Sequence, residues 1–243
     1  MSKIYADTIE TENPNVDITL GAAGDAVLIP SGATLKTNTI QDAGGNNIFT
    51  SDGSGNLTVP SAFGGAMNLL ATNTFTDQAS SAFTTLIDST YDVYIFKFID
   101  INPATNTSDF LFNGSDDGGT TYAVTKTTTC FNAYNAEVGG IPAISYDSSN
   151  DLAQSTAYQS LALDIGNGAD ECLVGELYLF NPASTTLAKN FYSRSNYYWT
   201  GDGSEERYIG GYFNTTSAIT AMNFKMDSGN MDGIIKMYGI SKS

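Results

Sequence analysis

The stretch LVGELYLFNPASTTLAKNFYSRSNYYW (residues 173–199) holds two runs rich in apolar and aromatic side chains, separated by Asn181, Pro182, Ser184 and two threonines. Helical spacing of the apolar residues is hard to find in either run, and the second alternates large and small residues with period two. The polar segment between them carries turn formers. The stretch therefore reads as strand, turn, strand.

The same pattern extends in both directions. Further runs at residues 66–75, 82–87, 91–101, 109–113, 121–129, 158–165, 208–214, 218–226 and 233–240 alternate with Gly, Asn, Asp and Ser clusters. With the quoted pair, at 173–180 and 188–199, they make eleven strands in one domain, which predicts two packed antiparallel sheets. In YDVYIFKFIDI (residues 91–101) both faces are apolar, as in a central strand or one that faces a neighbouring chain. In AITAMNFKM (residues 218–226) Met222, Phe224 and Met226 share one face, with Asn223 and Lys225 on the other, and DSGN (residues 227–230) is expected to reverse the chain.

The N-terminal quarter is different. Residues 1–65 contain only Tyr5, Phe49 and Phe63 of the 28 aromatic residues, and the boundary falls near Gly64 and Gly65. Short apolar bursts at 16–20, 26–29, 33–40, 47–49 and 56–59 stand between turn formers, which predicts brief strands joined by tight turns. So few large side chains cannot offset the conformational entropy of 65 ordered residues. The missing core is expected from other copies of the chain, in a stalk where parallel chains wrap round a common axis. The alternative is a linker, to which GAAGD and DAGGNN are suited in composition.

Charge and composition exclude several functions. Two arginines and eight lysines face 26 acidic residues, for a net charge of −16, so phosphate backbones and anionic lipid surfaces are repelled. Nucleic acid and membrane partners are therefore not expected. The chain has no histidine, which removes Ser-His-Asp and Cys-His nucleophilic sites and His-ligated metals. Cys130 and Cys172 have no CxxC spacing and read as two thiols in a protein assembled in a reducing cytoplasm, with a bridge as the alternative. The opening MSKIYADTIE lacks the apolar core of a secretory signal.

Three kinds of site remain. A glycosidase needs two flanking carboxylates and no histidine; Glu137, Asp164, Glu171, Glu176, Glu205 and Glu206 are available, but no motif sets a pair at a defined separation. Calcium could be sought in DGSGN (52–56), SDDGG (115–119), DSSND (147–151) and GDGSEE (201–206). The EF-hand match of Asp147, Ser149 and Asp151 fails at Leu152 and Tyr158, which leaves solvated turns as the favoured reading of all four segments.

The third is FYSRSNYYW (residues 191–199), which gathers the single tryptophan and one of the two arginines. On a strand, Tyr192, Arg194, Asn196 and Tyr198 share a face, as rings that can stack on a sugar with amide and guanidinium donors for its hydroxyls. These four are the candidate binding residues. The competing reading is a core strand packed on a neighbouring subunit, with Arg194 held over a tyrosine ring or paired with an acid. The following TGDGSEERY (residues 200–208) is read as a polar, turn-rich rim.

The segments SKIYADTIE (2–10), NVDITLGAAGDAVLIPSGATLKTNTIQDAGGN (15–46) and SDGSGNLTVPSAFGG (51–65) resemble the N-terminal stalks of tail-fibre and virion structural proteins of marine bacteriophages, including cyanophages. LYLFNPASTTLAKNFYSRSNYY (177–198) and GGYFNTTSAITAMNFKMDSGNMDGIIKMYGI (210–240) are similar to the C-terminal β-sandwich domains of such proteins; roughly residues 130–170 lie outside the likeness. The resemblance implies a homotrimeric appendage on the virion surface, stalk inward and sandwich outward. It carries over no catalytic residue and no cofactor.

Together these readings predict an all-β protein. Residues 1–65 form a β-strand/turn stalk, like a triple-stranded β-helix, which attaches to other virion proteins and trimerises. Residues 66–243 form an antiparallel, jelly-roll-like β-sandwich head. The expected function is a non-enzymatic tail fibre that contacts a host-surface glycan. The alternatives are a capsid-decorating head fibre and a polysaccharide depolymerase using paired carboxylates.

Overall fold

A computed structural model describes residues 39–42, 44–51, 53–54, 57–58, 66–140 and 142–242. The chain separates into two compact units, residues 1–60 and 61–243. Among the described residues of the first unit, β1 (Thr39–Gln41), β2 (Asn47–Ser51) and β3 (Leu57–Thr58) form an antiparallel meander. The β1–β2 turn is built on Asp42, whose Oδ1 accepts from the backbone N–H of Gly44 (2.8 Å) and Asn46 (2.9 Å). The bursts expected at 16–20 and 26–29, and with them most of the expected stalk, lie outside the described residues.

Among its described residues the second unit contains twelve strands and no helix. They are β4 (Met67–Gln78), β5 (Ser81–Phe83), β6 (Val93–Pro103), β7 (Ser108–Ser115), β8 (Lys126–Ala136), β9 (Ala143–Tyr146), β10 (Gln159–Ile165) and β11 (Leu173–Phe180). The chain then continues through β12 (Lys189–Trp199), β13 (Gly203–Phe213), β14 (Ala221–Met226) and β15 (Met231–Ile240). All pair antiparallel in one sheet of order β4-β15-β6-β11-β12-β10-β7-β14-β5, with β13, β8 and β9 branching from β12. The two predicted sheets are thus one sheet, joined between β12 and β10 by the single pair Ile165↔Trp199. At its other end the β4–β5 turn brings Asn73 Nδ2 to Ser81 Oγ (3.0 Å) and Ala82 O (3.1 Å). The sheet nearly closes into a barrel.

Aromatic rings fill the interior, because the sheet turns one side of its pleat inward along every strand. Phe96 and Phe98 of β6 meet Phe224 of β14 at 5.3 Å each, and Phe98 meets Phe110 of β7 at 5.2 Å. Phe112 of β7 meets Phe191 of β12 at 5.1 Å. β6 is central, between β15 and β11, as its two apolar faces predict. Its outward Ile95 is still only 1% exposed, lying between its register partners Tyr178 and Tyr238.

Several local expectations change. The DSGN turn does not close a hairpin: β14 pairs with β5 and β7, and β15 with β4 and β6, so the turn carries the chain across the barrel. The run at 121–129 shifts to β8, which starts only at Lys126. Residues 200–208 are not simply a rim, because β13 begins at Gly203 and pairs along its whole length with β12 and β8. β9 has no counterpart among the predicted runs. Together β8, β9, β12 and β13 form an extension with an inner and an outer face.

Candidate functional site

Strand β12 alternates without interruption from Lys189 to Tyr197, odd positions buried and even positions exposed. Phe191, Ser193, Ser195 and Tyr197 face inward, because β11 and β13 flank the strand on both sides and its inner side chains enter the core. Tyr192, Arg194 and Asn196 are exposed and Tyr198 half-buried on the opposite face. The structure brings the four predicted residues together in one outward row.

Each of the four already has partners within the chain. The Tyr192 ring is stacked on Tyr178 (4.7 Å between centroids, 19° between planes), lies 5.6 Å from Phe180, and keeps 47% of its surface exposed. Arg194 pairs through Nε with Glu206 and sits 5.7 Å from the centre of the Tyr208 ring. Asn196 Nδ2 donates to Ser204 Oγ (3.1 Å) and Glu205 O (3.3 Å), while the Tyr198 hydroxyl donates to Asp202 Oδ1 (3.3 Å). Both partners named by the competing structural reading of Arg194, a tyrosine ring and an acid, are present.

The row is bordered by two shallow depressions that share Asn196. One, of about 470 Å³, includes Tyr198, Ser204 and Glu137; the other, of about 280 Å³, includes Arg194, Glu176, Lys97 and Glu206. Burial, reinforced by Tyr178 and Glu176, keeps the Tyr192 hydroxyl protonated beyond its usual range, and burial followed by Glu137 and Asp202 does the same for Tyr198. Both rings are neutral at physiological pH, as stacking surfaces for a neutral ligand should be. Chemically the face offers an exposed ring, a guanidinium edge and an amide oxygen. It places no activated nucleophile among them.

Of the carboxylates considered for hydrolysis, Glu176 and Glu206 line one depression together and Asp164 and Glu205 line another pocket. Glu176 pairs with Lys97 and Glu206 with Arg194 on the outer face, Glu171 accepts from the Gly168 N–H (2.6 Å), and Glu205 is buried on the inner face. In two of the calcium candidates, SDDGG and DSSND, carboxylates are engaged in hydrogen bonds within the chain. Asp117 accepts from Ser115 (2.6 Å) and Thr121 (2.7 Å), and Asp151 accepts from Tyr146 (2.5 Å). Asp147 accepts from Arg207 (2.6 Å) and Ser149 (2.9 Å). DGSGN lies partly outside the described residues.

Sequence reasoning missed the inner face of the extension. There Trp199, Glu205, Arg207, Asn132 and Tyr134, from β12, β13 and β8, line a pocket of about 310 Å³ with Leu163 and Asp164 of β10 and with Asp147. Burial pushes the Asp147 carboxyl up, but hydrogen bonds from Arg207, Asn150 and Ser149 outweigh it and hold it at about 2. The missed signal was the continued alternation Gly203, Glu205, Arg207, Ile209, hidden by the polar composition of the segment.

Comparisons of the chain with protein-family models, with curated proteins and with solved structures find no match.

Proposed function

We propose that this chain is a non-enzymatic structural protein of a bacteriophage virion, a fibre whose head contacts a host-surface glycan through the outer face of β12. The observation that carries the contact is the row Tyr192, Arg194, Asn196 and Tyr198, outward on one paired strand and bordered by two depressions. Aromatic rings beside guanidinium and amide groups suit a saccharide. The sequence resemblance supports the virion location and the homotrimer, with residues 1–65 joining neighbouring virion proteins.

Strand order supports a jelly roll for the head. With the hairpin strands β8, β9, β12 and β13 set aside, eight strands remain. In chain order they lie first-eighth-third-sixth (β4-β15-β6-β11) and second-seventh-fourth-fifth (β5-β14-β7-β10). That is the arrangement of two interlocked Greek keys, an architecture shared by viral capsid and lectin domains. The likeness is one of architecture, and function rests on the site.

Three weak head contacts, each near millimolar affinity or about −4 kcal/mol, would add through avidity in a trimer. Tyr192→Ala and Tyr198→Ala are expected to reduce adsorption to host cells while light scattering still reports trimers. Dissociation into monomers would assign these rings to a subunit interface and end the glycan reading. Sustained release of reducing ends from purified envelope polysaccharide would show the protein to be a depolymerase instead.

A further inference from the structure

The pocket on the inner face of the extension plays no part in the outer contact, although the two share strands β12 and β13. We propose that it is a second binding site, specific for a single neutral sugar ring. Its signature is the pair of unpartnered guanidinium nitrogens on Arg207, in a pocket that the Trp199 and Tyr134 rings also line.

Arg207 has no exposed side-chain surface. One of its terminal nitrogens, Nη2, donates to Asp147 at 2.6 Å, but Nε has no hydrogen-bond partner. Nη1 has none either, although it forms a looser ion pair with a Glu205 carboxylate oxygen at 3.7 Å. The remaining buried side-chain polar atom without a partner among the described residues is Ser195 Oγ, on the residue directly opposite Arg207. Ser195 does not line the pocket, and its Oγ stands 3.0 Å from where a Cβ on Gly175 of β11 would lie, so the two Arg207 nitrogens are the unpartnered atoms of the pocket. Buried donors left unpaired are costly, and an acceptor brought to them recovers that loss.

The surroundings select the ligand. Arg207 is one cation among Asp147, Asp164 and Glu205, so an anion entering the pocket meets net repulsion. A cation would approach the fully buried guanidinium. A sugar hydroxyl carries no charge and both donates and accepts, so it can bond the guanidinium and a carboxylate at once. Asp147 is occupied by Arg207, Asn150 and Ser149. Glu205 is buried and accepts from Asn132 (2.8 Å), which leaves Asp164, an exposed residue of the lining, to receive a ligand hydroxyl.

The walls suit the faces of a pyranose. Trp199 and Tyr134 lie 6.3 Å apart with their planes at 55°, forming an angled pair of aromatic surfaces. The indole is fixed from behind: a Cβ on Gly201 would stand 2.3 Å from two of its ring carbons, so the ring rests directly on the glycine. About 310 Å³ suits one ring rather than a chain.

Trp199 is the only tryptophan, so its emission reports the pocket directly. The full-length protein is to be titrated with glucose, galactose, mannose and N-acetylglucosamine, followed by fluorescence and by calorimetry. At least one sugar is expected to give a saturable change in the millimolar range. Asp164→Asn, which keeps a side chain tolerant of the positive φ of 50° at this position, is expected to weaken that binding about tenfold. Leu187→Ala, exposed and outside the linings of this pocket and of the two outer depressions, should leave it unchanged, and heat without a change in Trp199 emission is assigned to the outer face and overturns the proposal for the inner one. Flat titrations by both methods overturn the proposal, as does binding indifferent to Asp164→Asn. A stronger response to sodium glucuronate or choline chloride than to any neutral sugar overturns it equally.

Discussion

Arg207 and Asp147 form an ion pair 2.6 Å long in which the arginine is wholly buried and the carboxylate keeps 16% of its side-chain surface. The pair ties the segment after β9 to the inner face of β13. Removing one partner of such a pair leaves the other charge uncompensated. Asp147→Ala is accordingly expected to destabilise the head by about 3 kcal/mol, measured by urea denaturation.

The same carboxyl makes stability depend on acid. Its value in the folded chain, about 2, lies below the ordinary 3.8. Stabilisation is therefore complete above pH 4 and is lost as pH falls toward 2, by about 2 kcal/mol for this group. Asp117, also held at about 2, chiefly by Ser115 and Thr121, adds a change of the same sign. Asp147→Asn should flatten part of the acid limb in urea midpoints measured between pH 5 and pH 2. An unaltered limb would mean that the pair contributes nothing.

Phe224 is the hub of the aromatic interior, with Phe83, Phe96, Phe98 and Phe110 all within 6.3 Å between ring centroids. Phe224→Ala would leave a cavity bounded by both sides of the barrel. The expected cost is about 3–5 kcal/mol, read as a lower denaturation midpoint with an unchanged slope.

Cys130 is fully buried, and burial pushes its thiol up to about 11. Thiolate is the reactive form, so iodoacetamide at pH 7.5 should leave Cys130 unmodified in the native protein and label it once denaturant is added. Peptide mass spectrometry distinguishes it from Cys172, which is half-buried and free.

Gly201→Ala tests how the indole is held. An added methyl group cannot coexist with Trp199 in its present position. The expected result is a changed emission maximum with only a small change in stability, since the glycine sits in an exposed turn. An unchanged emission spectrum would show that the ring is held by something other than the turn.

Much of the head was legible in the sequence because its strands announce themselves locally. β11 matches residues 173–180 to the residue, bounded by Cys172 and the Asn181-Pro182 turn, and β12 differs by one position. The four outward residues of β12 followed from period two alone. β9 escaped notice because its four residues pair with β8 alone and its Ile144 is 79% exposed, so no buried face left a pattern. The course of the chain after DSGN was illegible for another reason. Which strand pairs with which depends on partners distant in the chain, and no turn residue records that β14 and β15 part company. The inner pocket is assembled from four strands and the segment after β9, so nothing in any one of them marks it.

The parity of β12 and β13 has a practical consequence. From Phe191 to Tyr197 and from Gly203 to Ile209, odd-numbered residues turn into the barrel and even-numbered ones away from it. A mutational library confined to even numbers would therefore remodel what the protein shows to the outside while leaving the odd-numbered side chains within untouched. Side chains on the two surfaces of this wall can thus be exchanged independently of one another.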